Sequence, residues 1–230
     1  MKEELTTIRQ RIRACLEKLF HLIGLDAHIR TKKDIYDWVL YDRKMLTRYM
    51  REDEDVALYR EAITNTGMAW SDNFPKQSRL FEMLQMVECT LKKGLAGDFA
   101  ECGCWWGHST YMIATLLQKN GFQGTLHVFD SFEGGLSEKT REDVNLRYQL
   151  NEKQILEEKT QFMSTKEGVQ QNLKDFPFIK YYEGWIPNRF QEVSDKKFAF
   201  VHIDVDLYQP TKDSLEFFYQ IGRASCRERV

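Results

Sequence analysis

The chain has 230 residues, 42% hydrophobic and 13% aromatic, with 13 Gly and 4 Pro, which excludes collagen-like, low-complexity and wholly disordered classes. Its 33 Lys+Arg against 35 Asp+Glu leave a net charge of −2, so nucleic acid and anionic membrane are not expected partners. The cysteines (Cys15, Cys89, Cys102, Cys104, Cys226) form no paired CxxC zinc frame, no apolar run is long enough for a membrane span, and the start MKEELTTIRQRIR is too charged for a secretory signal. A reduced, cytoplasmic, enzyme-sized protein is expected.

Residues 1–95 read as a helical cover. Asp34–Arg60 is dense in charge and aromatics, as suits amphipathic helices. Across Ser78–Lys93, Leu80, Leu84, Val87 and Leu91 recur at helical spacing, and Gly94 stands where a C-terminal glycine would end the helix. From residue 96 to 220 short apolar runs alternate with helical stretches. Phe99–Cys102 predicts a strand, Gly103–Gly107 a turn, and Ser109 the N-cap of a helix through Leu117 that Gly121 stops. Leu126–Phe129 is a second strand closed by Asp130, and Ser131 to about Thr160 is a polar, partly helical insertion. Val169–Phe176 reads as a helix, Ile179–Tyr182 and Phe198–Ile203 as strands, and Pro210 opens a helix over Thr211–Tyr219. The alternation predicts an α/β fold: a Rossmann-like parallel sheet covered on both faces.

Chemistry concentrates in two places. Glu101-Cys102-Gly103-Cys104-Trp105-Trp106-Gly107 follows a strand and opens a helix, where glycines let backbone approach a ligand closely. Ligands of open α/β sheets bind beyond the carboxyl ends of the strands. Asp130 ends the next strand, where a carboxylate can accept both hydroxyls of a ribose. An anion at Glu101 would repel a pyrophosphate but attract an aminoacyl ammonium, which favours S-adenosylmethionine over a dinucleotide. A purely structural tight turn is the competing reading. The second place is Asp204-Val205-Asp206, two carboxylates suited to a hard cation such as Mg²⁺; the competing reading is a cap for the helix near Pro210.

The stretches GDFAECGCWWGHST (97–110), FDSFEGG (129–135), GWIPNRF (184–190) and VHIDVDLYQPTKDSLEFFY (201–219) resemble the TylF macrocin O-methyltransferase family. The resemblance implies a class I, S-adenosylmethionine- and Mg²⁺-dependent methyltransferase acting on a hydroxyl of a sugar-like or natural-product acceptor. It implies cofactor contacts from Glu101, Cys102, Gly103, Cys104, Trp105, Gly107, Asp130 and Ser131, with Trp185 at the adenine edge, and metal contacts from Asp204 and Asp206. The expected partner is a small-molecule acceptor, and homo-oligomerisation is left open. No catalytic base is assigned: the family's histidine would fall in the insertion, which contains no His, and His21, His28, His108, His127 and His202 read as packing residues. Asp204-Val205-Asp206 also satisfies a DxD pattern, so a nucleotide-sugar glycosyltransferase is one alternative. A non-catalytic cofactor-binding protein is another.

The family pattern continues past the last helix with a glycine pair, a further strand and a DD pair, which are not found here. Residues 221–230, IGRASCRERV, instead resemble the in-frame translation of a sequencing-library adapter and are expected to be foreign. The methyltransferase domain is therefore expected to be partial. Phe198–Ile203 would be an exposed apolar edge, and the 230-residue chain as written poorly soluble and inactive.

Overall fold

A computed structural model describes residues 25–29, 38–42, 53–143, 156–157 and 160–227. Two compact units lie within Met1–Val56 and Ala57–Val230. In the first, β1 (Leu25–Ile29) pairs antiparallel with β2 (Trp38–Asp42), with Leu25 opposite Asp42 and Ile29 opposite Trp38. The helical reading of this stretch is therefore corrected at residues 25–29 and 38–42. A short run of aromatic and β-branched residues (Trp38, Val39, Tyr41) satisfies a pleated ribbon better than a helix. The expected helical cover otherwise falls partly outside the described residues.

The second unit contains a four-stranded parallel sheet. Its helices are α1 (Asp53–Asn65), α2 (Phe74–Lys92), α3 (His108–Lys119), α4 (Lys166–Asn172) and α5 (Tyr208–Arg227). Its strands are β3 (Asp98–Cys102), β4 (Leu126–Asp130), β5 (Ile179–Glu183) and β6 (Phe198–Ile203). The spatial order is β5-β4-β3-β6, all parallel. This is an α/β architecture, as the alternation of elements predicts.

The register sets the core. Tyr182, Phe129, Cys102 and Ile203 are lateral neighbours across the four strands, so their side chains project from one face. Phe129 stacks on Tyr182 at 4.4 Å, Phe190 meets Phe129 edge-on at 5.1 Å, and Phe217 and Phe218 of α5 close the layer against Phe190. Burying one such ring fully stabilises the fold by about 1.5–3 kcal/mol. α2 packs against α3 and β6, with Leu80, Leu84 and Val87 buried.

Local details adjust the predicted boundaries. α2 begins at Phe74, not Ser78, because the Asn73 side chain accepts the Lys76 N–H and Pro75 occupies the first turn. Gly94 follows the C-cap with φ +60°, as expected of a terminating glycine. Ser109 is not an N-cap. Gly107, at φ +86°, takes that position without a side-chain bond and starts α3 at His108. α4 spans Lys166–Asn172, capped by Thr165.

α5 starts at Tyr208 and its backbone continues to Arg227. The insertion shows short 3₁₀ turns at Phe132–Gly134 and Arg141–Asp143; 144–155 and 158–159 lie outside the described residues. Among the described residues β6 bonds to β3 alone, and its residues are all half-buried. No described helix is long and apolar enough to cross a membrane.

Candidate active site

Because the four strands are parallel, the segments following them emerge at one edge of the sheet. These are Gly103–Gly107 after β3, Ser131–Gly135 after β4, Gly184-Trp185 after β5, and Asp204–Leu207 after β6. Backbone bonds prolong the ladder past the strand ends: Gly103 N donates to Phe129 O (2.8 Å), Gly184 N to Asp130 O (3.0 Å), and Asp204 N to Cys102 O (2.8 Å).

Gly103 is where backbone meets backbone. Its φ is +83°, and a Cβ there would collide with the Asp204 carbonyl oxygen. The turn after β3 and the loop after β6 are thus in contact, as only a glycine permits.

Asp130 fastens the turn. Its Oδ2 accepts the N–H groups of Cys104 (2.7 Å) and Trp105 (3.0 Å), and its Oδ1 accepts the N–H of Phe132 (2.8 Å). Trp105 and Phe132 are both in the left-handed region, at φ +50° and +55°, where non-glycine residues are disfavoured by about 1–3 kcal/mol. One carboxylate therefore bonds to two strained backbone positions. Ser131 Oγ donates to Gly135 O at 3.0 Å. The Trp185 indole lies against Gly134, where a Cβ would collide with the ring.

Glu101 is fully buried. Its Oε2 accepts the Thr110 hydroxyl and its Oε1 meets His202 Nδ1 at 3.0 Å, so it joins β3 to α3 and β6. Burial alone would lower the His202 pKa, but the Glu101 bond and charge outweigh it and the pKa is raised. Cys102 and Cys104 are buried free thiols; burial first, then the Glu101 and Asp130 charges, push both thiols up.

The turn contains one buried donor without a protein partner, Trp105 Nε1. An indole N–H can only donate, so this atom fits a ligand bearing acceptor groups. This one indole donor beside the glycine turn and the acceptor carboxylate of Asp130 is compatible in chemistry with S-adenosylmethionine, which carries both acceptor and donor groups.

The cation reading of Asp204 and Asp206 fares differently. Asp204 Oδ1 lies 3.7 Å from Arg79 Nη1, and Asp206 is left-handed at φ +59°. Among the described residues no group of three or more His, Cys, Asp or Glu is arranged to hold a metal ion. Mg²⁺ takes a near-octahedral set of oxygens, so the two aspartates do not complete the Mg²⁺ site that the resemblance implies. At the start of α5, Asp143 of the insertion accepts the Tyr208 N–H at 2.6 Å.

The profile of the macrocin-O-methyltransferase (TylF) family matches residues 22–223. The chain belongs to this family. Among TylF-like relatives it is 26% identical over 170 residues to the demethyldecarbamoylnovobiocin O-methyltransferase of Streptomyces niveus, covering 70% of this chain and 63% of that protein. It is 25% identical over 146 residues to the mycinamicin III 3''-O-methyltransferase of Micromonospora griseorubida, covering 61% and 57%. The solved structure of the O-methyltransferase NovP superposes with a TM-score of 0.50 at 25% identity, covering 70% of this chain and 69% of that one. The chain thus spans less than two thirds of the length of these curated relatives.

On this TylF-family frame, several residues at the edge were not singled out from sequence: Lys76, Arg79, Thr110 and Asp143. The Asn73-Phe74-Pro75 start signal would have found the first two, since it moves the beginning of α2 upstream and puts Lys76 on its first turn. His127 is a packing residue as read, bridging Tyr182 OH (2.8 Å) and Asp98 Oδ2 (3.0 Å).

Proposed function

We propose that this chain acts as an S-adenosylmethionine-dependent O-methyltransferase on a hydroxyl of a sugar-like or natural-product acceptor. The observation that carries the reading is the Asp130-fastened turn after β3, with its unpartnered Trp105 Nε1, in a chain matched to the TylF family along most of its length. The acceptor class is supported by relatives whose names specify demethyldecarbamoylnovobiocin, a rhamnosyl-tetracenomycin and mycinamicin III.

Gly103, Cys104, Trp105, Gly107, Asp130, Ser131 and Trp185 would surround the cofactor, with Glu101 and Cys102 fully buried behind them. Bound S-adenosylmethionine supplies a methyl group on a sulfonium, activated toward an oxygen nucleophile. The chain's part is alignment and local electrostatics. Gly103 lets the turn pack against the Asp204 carbonyl and Gly107 lets it pack against Leu173 and Val169, Asp130 fixes the turn's backbone, and Trp105 Nε1 offers an indole donor. Glu101 acts from beneath, tying the turn to α3 through Thr110 and to β6 through His202. The described residues support no metal step, and none is invoked.

The test is to incubate the full chain with S-adenosylmethionine and a panel of glycosylated natural products. S-Adenosylhomocysteine release and a gain of one methyl on the acceptor are expected. Binding of S-adenosylhomocysteine without transfer would favour the non-catalytic alternative, and preference for a uridine nucleotide would favour the glycosyltransferase.

A further inference from the structure

We propose that Lys76 is the general base of this site, its Nζ taking the proton of the acceptor hydroxyl as the oxygen attacks the methyl group. The assignment rests on the methyltransferase reading above. Lys76 stands on the first turn of α2 and is only 9% exposed. Its Nζ donates to Ser71 Oγ at 2.6 Å and lies 5.6 Å from the centroid of the Trp105 ring. One turn along the same helix, Arg79 reaches Asp204 in the loop after β6. The start of α2 therefore touches both segments that meet at Gly103, at the carboxyl edge of the sheet.

The chemistry of the amine fits the role. Among the described residues no carboxylate lies within ion-pair distance of Nζ. Burial lowers the Lys76 pKa to about 8, opposed by the charges of Asp72 and Asp204 and assisted by Arg79. About a tenth of the amine is then neutral at pH 7, with a lone pair to accept a proton while an N–H stays on Ser71. Other titratable groups nearby are unsuited. His108 is driven down to about 3 by burial first and by Lys76 next. His202 is held by Glu101. The Tyr59 hydroxyl donates to Asp72 at 2.7 Å and is raised far above its ordinary value. Both turn thiols are raised as well.

The step balances. The O–CH₃ bond forms, the S–CH₃ bond breaks with its electron pair left on sulfur, and the hydroxyl proton moves to Nζ. The products are a methyl ether, a thioether and an ammonium that keeps its bond to Ser71 until the proton passes to water.

The test uses the full chain with Lys76→Met and Lys76→Arg. Both are expected to bind S-adenosylhomocysteine within about threefold of the unaltered protein while kcat falls about 10²–10⁴-fold. The rise of kcat/KM with pH through about 8 should disappear, and small primary amines should partly rescue Lys76→Ala. Independently of turnover, ¹³C-dimethylation followed by NMR titration should give one lysine signal with a midpoint near 8, assigned by its loss in Lys76→Arg. Retention of kcat in Lys76→Met, or ordinary titration of Lys76 beside intact methyl transfer, overturns the base assignment alone. Absence of both cofactor binding and methyl transfer in the unaltered chain overturns the methyltransferase reading together with it.

Discussion

Asp130 Oδ2 accepts the backbone N–H of Trp105 at 3.0 Å, so a carboxylate at the end of one strand fixes a left-handed aromatic residue in the turn after its neighbour. Replacing Asp130 with Ala removes three charge-assisted bonds at once. A loss of about 1.5–3 kcal/mol or more is expected from bonds of this type. S-Adenosylhomocysteine binding should fall with it. Calorimetric melting and ligand titration of D130A check both, and an unchanged Tm with unchanged affinity would remove Asp130 from this role.

Gly103→Ala should be the most damaging small substitution at the site. It places a non-glycine residue at φ +83° and drives its Cβ into the Asp204 carbonyl. The backbone strain alone is about 1–3 kcal/mol, and the collision adds to it. Denaturant melts should show the loss, whereas Gly121→Ala, with open space around its Cβ, bears only the strain.

His108 makes stability pH-dependent. Burial holds its folded pKa near 3, below the ordinary 6.5. As pH falls below 6.5 the unfolded chain takes up this proton first, so the contribution present above 6.5 is lost on acidification toward 3. His108→Phe should keep the ring contact with Tyr59, at 4.9 Å, and flatten the acid side of the stability curve. Equal slopes for the two proteins would count against a buried neutral imidazole.

Asp143 caps α5 from the insertion. Burial raises its pKa, but bonds from Tyr208 N, Thr140 N and Thr140 Oγ1 outweigh it, and the pKa is lowered. Its contribution is present above the usual carboxylate range and fades as pH falls. Asp143→Ala should cost about 0.5–2 kcal/mol, as for other lost caps. Hydrogen exchange at the Tyr208 amide is the direct measurement.

Local sequence carried the strands of the second unit well. Phe198–Ile203 has the expected limits, and the other three strands differ by a residue at an end. Short apolar runs punctuated by glycine or acid leave little choice of period. Two things were less legible. The ribbon at Leu25–Ile29 and Trp38–Asp42 depends on pairing between separated segments, which no local periodicity announces. The partners of Glu101 and Asp130 depend on sheet register and on a strained turn. The charge at position 101 suggested attraction of a ligand's ammonium, whereas its carboxylate meets Thr110 and His202. A residue type at a strand end identifies a chemical group but not the atoms that reach it first.

The two cysteines of the turn acquire a consequence from the proposed cofactor. A sulfonium methyl donor alkylates thiolates, and Cys102 and Cys104 flank the glycine where that donor would sit. Burial holds both thiols well above their ordinary pKa, so under the proposed function they should resist methylation by the donor. Selective reaction of exposed Cys89, with the turn untouched, would be the signature of that self-protection.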